Sequence, residues 1–261
     1  KEEIETYSPT PSNGAIRAYT ANATQRGWVS NQSDVSSAYL HTRMKRKMFM
    51  RPPKGFEIIA KILGWGEYEV GDVWELHTCI YGLKESGREW FFEWTLELKV
   101  QGFVAIPAEP CVMTKTIEGE VVEAVIFHVD DVIHSGANDP IYRKFLVTMQ
   151  KKFPLKDLGR PQKFLGLYFE TIPKGVRLHL EPYIEELLER FHLTNLPIAH
   201  APAPTNRLIK AGKPVTGEPK KVYRAMLGAV LWIAVVLRGP DIGFSVIQCA
   251  RFCAEPTEEH W

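Results

Sequence analysis

Residues 123–134 read Glu-Ala-Val-Ile-Phe-His-Val-Asp-Asp-Val-Ile-His. Runs of β-branched and aromatic residues flank Asp130 and Asp131, a pattern that predicts a hairpin with both carboxylates at its tip. Adjacent carboxylates at the end of an apolar strand are costly, because they repel each other and lose water. A divalent cation relieves both costs, since Mg²⁺ and Mn²⁺ prefer hard oxygen ligands. The alternative at this point is an ordinary solvated turn.

A third carboxylate, Asp34, follows another strand-like run, over residues 28–35. Two strands that each end in an acid can converge on a pair of metal ions. Such a pair activates an attacking oxygen and stabilises a leaving oxygen in phosphoryl or nucleotidyl transfer. Spacing along the chain does not by itself bring Asp34 to Asp130.

The rest of the chain alternates irregularly between strand and helix patterns, without an internal repeat, which predicts an α+β fold. Helices are predicted over residues 12–26 (with Ser12 as N-cap), 84–100, 141–153, 181–193, 222–237 and 242–253. Further strands are predicted over residues 74–78, 112–122 (a hairpin turning at Glu118-Gly119), 164–171 and 176–180. The proline-rich residues 196–220 are predicted to form a loop or linker.

Composition narrows the class of protein. The 261 residues are 45% hydrophobic and 24% charged, which excludes a disordered chain. The formal net charge of +1 excludes a polybasic or acidic tail, and four cysteines are too few for a disulfide scaffold, so we expect a reducing compartment. The apolar residues 225–237 are too short to span a bilayer, and no membrane partner is expected. A charged start without Met and an abrupt end indicate a fragment of a longer polypeptide.

A collinear series of short motifs covers nearly the whole chain. They comprise residues 32–41 (Gln-Ser-Asp-Val-Ser-Ser-Ala-Tyr-Leu-His), 48–56, 80–90 (Ile-Tyr-Gly-Leu-Lys-Glu-Ser-Gly-Arg-Glu-Trp), 127–131 (Phe-His-Val-Asp-Asp), 153–159, 164–167, 223–232, 239–242 and 256–261. In this order they resemble the motifs of copia-type retrotransposon reverse transcriptases. The resemblance is specific because several independent motifs occur in sequence.

The resemblance implies a right-hand polymerase fold and RNA-templated DNA synthesis with two Mg²⁺ or Mn²⁺ ions. Fingers and a palm of antiparallel sheet plus helices would occupy residues 1–175. A partial helical thumb and a connection-like region would occupy residues 176–261. The implied catalytic residues, which would also hold the metals together with Val35, are Asp34, Asp130 and Asp131.

The resemblance, together with the local clustering of basic residues (Arg43, Lys45, Arg46, Lys47 and Arg51) and the charge of Lys156, indicates two sets of binding residues. Those for the incoming nucleotide are Val35, Ser36, Ser37, Ala38, Tyr39, Gly82, Lys84 and Lys156. Tyr39 would lie under the sugar and exclude a 2′-hydroxyl; the alternative is a packed core aromatic. Those for nucleic acid are Arg43, Lys45, Arg46, Lys47, Arg51, Arg88 and His128. Most of these residues lie in one densely basic stretch of sequence, which could follow a phosphate backbone. The alternative interpretation is a solvated hairpin with no binding role.

Three residues depart from the family pattern: His128 replaces a usual Tyr, Glu85 a usual Gln, and Gly87 a usual Pro. The implied partners are an RNA or DNA template with primer, deoxynucleoside triphosphates, and flanking integrase and ribonuclease H regions of a longer polyprotein. The implied location is cytoplasmic, within virus-like particles, with access to the nucleus.

Two other functions stay open. A decayed or domesticated retroelement domain that binds nucleic acid or a protein is favoured by the near-neutral charge and the three departures, but opposed by the retained acids. A metal-dependent phosphohydrolase with the same acids lacks an obvious water-activating base other than His128. Primer extension, nucleic-acid retention and phosphate release distinguish the three functions.

Overall fold

The structure, a computed structural model, describes residues 5–65, 71–195, 197, 201–202 and 212–260. The chain divides into two compact units between Pro161 and Gln162. Most of the predicted linker over residues 196–220, and the last residue of the final motif, lie outside the described residues. The linker prediction is wrong for residues 217–220, which form the first turn of a helix that begins at Gly217.

The first unit is built around an antiparallel sheet, and this confirms the α+β prediction. Its strands are β1 (Val29–Val35), β2 (Phe49–Met50), β3 (Trp74–Glu75), β4 (Phe103–Ile106), β5 (Glu109–Ile117), β6 (Glu120–His128), β7 (Asp131–Gly136) and β8 (Leu155–Gly159). Six of them form the sheet in the order β4-β5-β6-β7-β1-β8, and β2 pairs with β3 in a separate ribbon. The turn at Glu118-Gly119 joins β5 to β6 as predicted, and the two aspartates lie at the β6–β7 connection.

Four α-helices accompany this sheet in the described part of the first unit, in addition to a short 3₁₀ helix over Ala38–His41. They are α1 (Asn13–Gln25), α2 (Phe56–Leu63), α3 (Ser86–Val100) and α4 (Asp139–Gln150). The Ser12 hydroxyl accepts a hydrogen bond from the Ala15 N–H at 3.1 Å, which confirms the predicted N-cap of α1. Helix α4 begins earlier than predicted, because the Asn138 side chain caps it by accepting from the Ile141 N–H at 3.2 Å.

The core of the first unit joins α3 and α4 to the sheet. Trp90, Trp94 and Leu98 of α3 are at most 1% exposed and form one buried cluster with Phe127 of β6 and Phe153. The helix predicted over residues 84–100 is therefore confirmed, and it packs one apolar face against the sheet. Truncating an aromatic side chain in such a core costs about 3–5 kcal/mol of folding free energy, so α3 is held firmly against the sheet.

The second unit contains a three-stranded sheet and helices. Its elements are β9 (Lys163–Phe164), β10 (Leu167–Ile172), β11 (Gly175–His179), α5 (Glu181–Arg190), α6 (Gly217–Ile233), a π-helical turn (Ala234–Arg238) and α7 (Gly239–Ala250). The single strand predicted over residues 164–171 is wrong, because Leu165 and Gly166 adopt positive φ angles of 47° and 83° and form a turn. A Cβ on Gly166 would lie 3.0 Å from the Trp232 ring, so this turn requires glycine. Of the described helices, none combines the length and the apolar character needed to cross a membrane.

Candidate active site

Four polar side chains form one row across the central sheet. Asp34 of β1 is the register partner of Asp131 on β7 and of Lys156 on β8. Asp131 is in turn the partner of His128 on β6. Directly opposite residues in antiparallel strands project from the same face, with Cβ atoms about 4.5–5.5 Å apart. Strand pairing thus places Asp34 beside Asp131, which spacing along the chain could not establish.

Asp130 lies at the tip of the β6–β7 hairpin and is tied to β1. Its carbonyl accepts a hydrogen bond from the Val35 N–H at 2.9 Å. Burial and then the Asp130 charge raise the pKa of Asp34, whereas Lys156 lowers it. The three acids predicted from the sequence therefore come together at one end of the sheet.

Asp131 is the most perturbed of these acids. Burial raises its pKa to about 6, and the charges of Asp130 and Asp34 add to the increase. The Gln32 side chain opposes it by donating a hydrogen bond to Asp131 Oδ1 at 2.6 Å. The site is thus crowded with negative charge, which the Gln32 side-chain amide, the Val132 backbone amide and Lys156 partly offset.

The carboxylate oxygens of this site suit divalent cations that are also bound by oxygen atoms of a substrate. Among the residues the structure describes, no three His, Cys, Asp or Glu side chains form a ready-made metal cage. Mg²⁺ sites in nucleotide-processing enzymes need only one or two carboxylates, because waters and substrate phosphates supply the other oxygens. Asp34 and Asp130 meet that requirement, and a metal role for Val35 is restricted to its carbonyl, because its side chain is apolar and buried.

We expect Asp131→Asn to remove a pH-dependent destabilisation of the cation-free protein. The folded protein binds the Asp131 proton more tightly than the unfolded chain, because folding raises the pKa of this carboxyl from 3.8 to about 6. Protonated Asp131 therefore contributes its full stability below pH 3.8, and this contribution is lost as the pH rises through about 6. The unfolding free energy of the wild type should fall relative to the variant by on the order of 1–3 kcal/mol between about pH 4 and about pH 7. Denaturant titrations in a chelator measure this difference, and a difference that is constant with pH would contradict the expectation.

The turn after β1 carries the amides predicted to face a triphosphate. The Ser36 N–H donates to the Pro154 carbonyl at 3.1 Å, and the Val35 N–H is engaged by Asp130. A backbone hydrogen bond from Ala38 reaches Tyr81, where it lowers a pKa that burial raises more strongly. Ser37 has a φ of 55° and is exposed. Triphosphate binding by the amides of Val35, Ser36 and Ala38 therefore requires bonds within the protein to be exchanged for bonds to the ligand.

Tyr39 lies at the edge of the core beside the acids. It is half-buried, packs against the core cluster, and its ring centroid is 4.7 Å from that of Tyr81. Burial, Tyr81 and then the Asp130 charge raise its pKa, which places its hydroxyl within range of the acid site. Gly82 adopts a φ of 97° next to open space, and Lys84 is exposed.

The predicted nucleic-acid residues divide into two groups. Lys45 pairs with Glu89 at 2.5 Å, and Arg46 Nε donates to Glu85 Oε1 at 2.9 Å. Arg88 pairs with Glu5 at 2.7 Å. Within the described ranges, those without an ion pair are Arg43, Lys47, Arg51 and His128. The predicted nucleic-acid residues are therefore partly neutralised by Glu5, Glu85 and Glu89, and the last two acids lie at the start of α3.

Comparison with known proteins identifies the family. The family model described as reverse transcriptase (RNA-dependent DNA polymerase) matches residues 2–204. The chain belongs to the reverse transcriptase family. It is 31% identical over 265 residues to the retrovirus-related Pol polyprotein from transposon TNT 1-94 of Nicotiana tabacum, covering 98% of this chain and 19% of that polyprotein. The prediction of a copia-type reverse transcriptase domain is confirmed.

Two further relatives agree. The Pol polyprotein from transposon RE1 of Arabidopsis thaliana is 29% identical over 258 residues, covering 98% of this chain and 17% of the polyprotein. A putative transposon Ty5-1 protein of Saccharomyces cerevisiae is 29% identical over 234 residues, covering 87% of this chain and 71% of that protein. The chain thus spans about a fifth of the length of the two plant polyproteins.

Gln32 of this reverse transcriptase domain has a role that its sequence motif did not predict. Its side chain is buried and orients Asp131. The available signal was strand alternation, because Gln32 lies two residues before Asp34 and so projects from the same face of β1. His128, which replaces the usual Tyr, is half-buried; burial lowers its pKa, and Asp130 opposes this.

Proposed function

We propose that this domain is an RNA-directed DNA polymerase that adds deoxynucleotides to a primer 3′ end with two Mg²⁺ or Mn²⁺ ions. The observation that carries the proposal is the convergence of Asp34, Asp130 and Asp131 on adjacent ends of β1 and β7. Membership of the reverse transcriptase family supports it independently.

The proposed reaction joins the primer 3′-oxygen to the α-phosphorus of a deoxynucleoside triphosphate. The bond from that phosphorus to the bridging oxygen breaks, pyrophosphate leaves with the electron pair, and the hydroxyl proton passes to solvent. When bound, the two ions lower the hydroxyl pKa and neutralise charge that develops on the phosphate. Asp34 and Asp130 hold the ions, and Lys156, opposite Asp34, supplies a positive charge for the triphosphate.

The finer architecture belongs to the same proposal. Fingers and palm are assigned to residues 1–175, and the thumb and connection-like region to residues 176–261. The antiparallel sheet with α3 and α4 on it supports the assignment of the palm. Proposed partners are an RNA or DNA template with its primer and flanking integrase and ribonuclease H regions, consistent with relatives that are much longer Pol polyproteins. The proposed location is cytoplasmic, within virus-like particles, with access to the nucleus.

A second candidate function is a nucleic-acid- or protein-binding module without polymerase activity. The ion pairs that neutralise Lys45, Arg46 and Arg88 favour the protein-binding form of this module, because they reduce the charge offered to a phosphate backbone. A primer-extension assay on an RNA template with Mg²⁺ or Mn²⁺ separates the candidates. Extension supports the polymerase, retention of nucleic acid without extension supports the module, and phosphate release without a primer supports a hydrolase.

We expect Glu85→Gln to strengthen binding of a primer–template duplex several-fold at low salt. Arg46 donates to Glu85 through two nitrogens, and this bond holds the pKa of the Glu85 carboxyl below its usual range in spite of burial. Removing the charge frees Arg46 for one more phosphate contact, so the slope of log affinity against log salt should steepen by about one. Fluorescence anisotropy across a salt series measures both quantities.

The matched control for this prediction is Glu118→Gln, which removes the same charge from the exposed β5–β6 turn. If binding strengthens equally in both variants, net charge rather than release of Arg46 is responsible, and the expectation is wrong.

A further inference from the structure

The tip of the β6–β7 hairpin has an unusual backbone conformation. Val129 adopts a φ of 56°, in the left-handed region that β-branched residues rarely occupy. Such a conformation persists only where the surrounding structure holds it, and it occurs most often at functional sites. Val129 immediately precedes Asp130, so its peptide geometry sets the direction in which the Asp130 carboxylate leaves the hairpin.

One side chain outside the hairpin holds this peptide. The Trp90 indole N–H on α3 donates a hydrogen bond to the Val129 carbonyl at 2.7 Å. Trp90 is 1% exposed, and its ring is packed against Trp94 at 5.6 Å and Phe153 at 5.1 Å between centroids. The donor therefore cannot follow the hairpin if the hairpin moves, and it acts as a fixed point on a rigid helix.

The neighbouring carbonyl is held by a different element. The Asp130 carbonyl accepts from the Val35 N–H at 2.9 Å, and Val35 follows Asp34 directly in β1. Two successive peptides of the tip are thus bonded to two different elements, α3 and β1. The bond from Trp90 fixes the position of the backbone just before Asp130, and the bond from Val35 fixes the distance between the Asp130 backbone and β1, which carries Asp34.

We propose that Trp90 is a positioning residue, whose indole N–H holds the Val129 carbonyl so that the Asp130 and Asp34 carboxylates share bound cations. The inference rests on the proposed function, and it deepens that function by adding a residue to which the sequence motif gave no role. Trp90 is not a catalytic residue, because it acts through the hairpin backbone. A displacement of about 1 Å in a catalytic group lowers the rate about a hundredfold, so a single backbone bond at this position has a measurable effect.

Trp94 provides a matched comparison on the same helix. It is 0% exposed and lies in the same cluster, and its indole nitrogen is buried without a hydrogen-bond partner among the described residues. Replacing either tryptophan by phenylalanine removes one indole from the same core. Only the Trp90 substitution also removes a bond to the hairpin.

The experiment compares Trp90→Phe with Trp94→Phe by primer extension and by Mn²⁺ binding in the absence of nucleotide, with circular dichroism as a check of folding. We expect Trp90→Phe to lower kcat about ten- to a hundredfold with little change in the KM for primer–template, and to weaken Mn²⁺ binding several-fold. Trp94→Phe should leave kcat and Mn²⁺ binding close to those of the wild type. Equal losses in the two variants, or unchanged kcat and Mn²⁺ binding in Trp90→Phe, would overturn the inference.

Two additions keep the test decisive. If Trp90→Phe does not fold, benzothienylalanine at this position retains the ring shape and removes only the N–H, and full activity of that protein overturns the inference. A wild type that binds Mn²⁺ but extends no primer overturns the proposed function. In that case the difference in Mn²⁺ affinity between the two phenylalanine variants still decides the role of Trp90.

Discussion

Asp130→Asn is expected to lower primer extension by about a thousandfold or more, while the cation-free protein becomes at least as stable as the wild type. Loss of activity follows from removing a carboxylate that holds the ions. The stability result follows from electrostatics, because the Asp130 charge raises the pKa of Asp34 and of Asp131. Removing that charge relieves repulsion, whereas asparagine has nearly the same shape.

Primer extension on an RNA template and thermal melting in a chelator measure the two effects. The matched control is Asp139→Asn, which changes an acid at the start of α4 that pairs with Arg160. The control should extend primers like the wild type. Extension by Asp130→Asn within about tenfold of the wild type would contradict the role assigned to Asp130.

Tyr39→Ala is expected to reduce discrimination against ribonucleotides by about ten- to a hundredfold, the range over which a packing contact can exclude one hydroxyl group. Tyr39 is half-buried, lies against Tyr81 and is close enough to Asp130 for the Asp130 charge to raise its pKa. Shortening this side chain opens space beside the acids. The measurement is the ratio of kcat/KM for a deoxynucleotide to that for the matching ribonucleotide.

The control for Tyr39 is Tyr7→Ala, since the Tyr7 side chain is 72% exposed, so its loss removes a tyrosine ring without opening a cavity in the core. An unchanged ratio in a Tyr39→Ala protein that still extends primers would mean that Tyr39 serves only as a core aromatic. That outcome would support the alternative interpretation of its partly buried position.

Local features of this chain were predictable because neighbouring residues determine them. The hairpin around Asp130 follows from alternation and apolar flanks, and the start of α1 follows from a side-chain cap at Ser12. The turn at Gly166 was missed, because one glycine in an apolar run is also compatible with a continuous strand, and the Trp232 ring that packs against this glycine is distant in sequence.

Features that depend on distant pairing were not predictable from pattern. The register of β1 against both β7 and β8 places Lys156 beside Asp34, and neither periodicity nor spacing encodes that register. Pattern also does not predict the hydrogen bond between Arg46 and Glu85, because this bond requires the segment around Arg46 to lie against the start of α3. The family resemblance identified the acids before the structure did, but not the side chains that orient them.

The central claim is that Asp34 and Asp130 together hold a pair of divalent cations. Anomalous diffraction from crystals grown with Mn²⁺, a primer–template and a non-hydrolysable deoxynucleoside triphosphate tests it most directly. The account predicts two Mn²⁺ peaks, with oxygen atoms of both carboxylates about 2.0–2.4 Å from the metal. Peaks that avoid these two side chains, or a single ion bound by Asp131 alone, would contradict it.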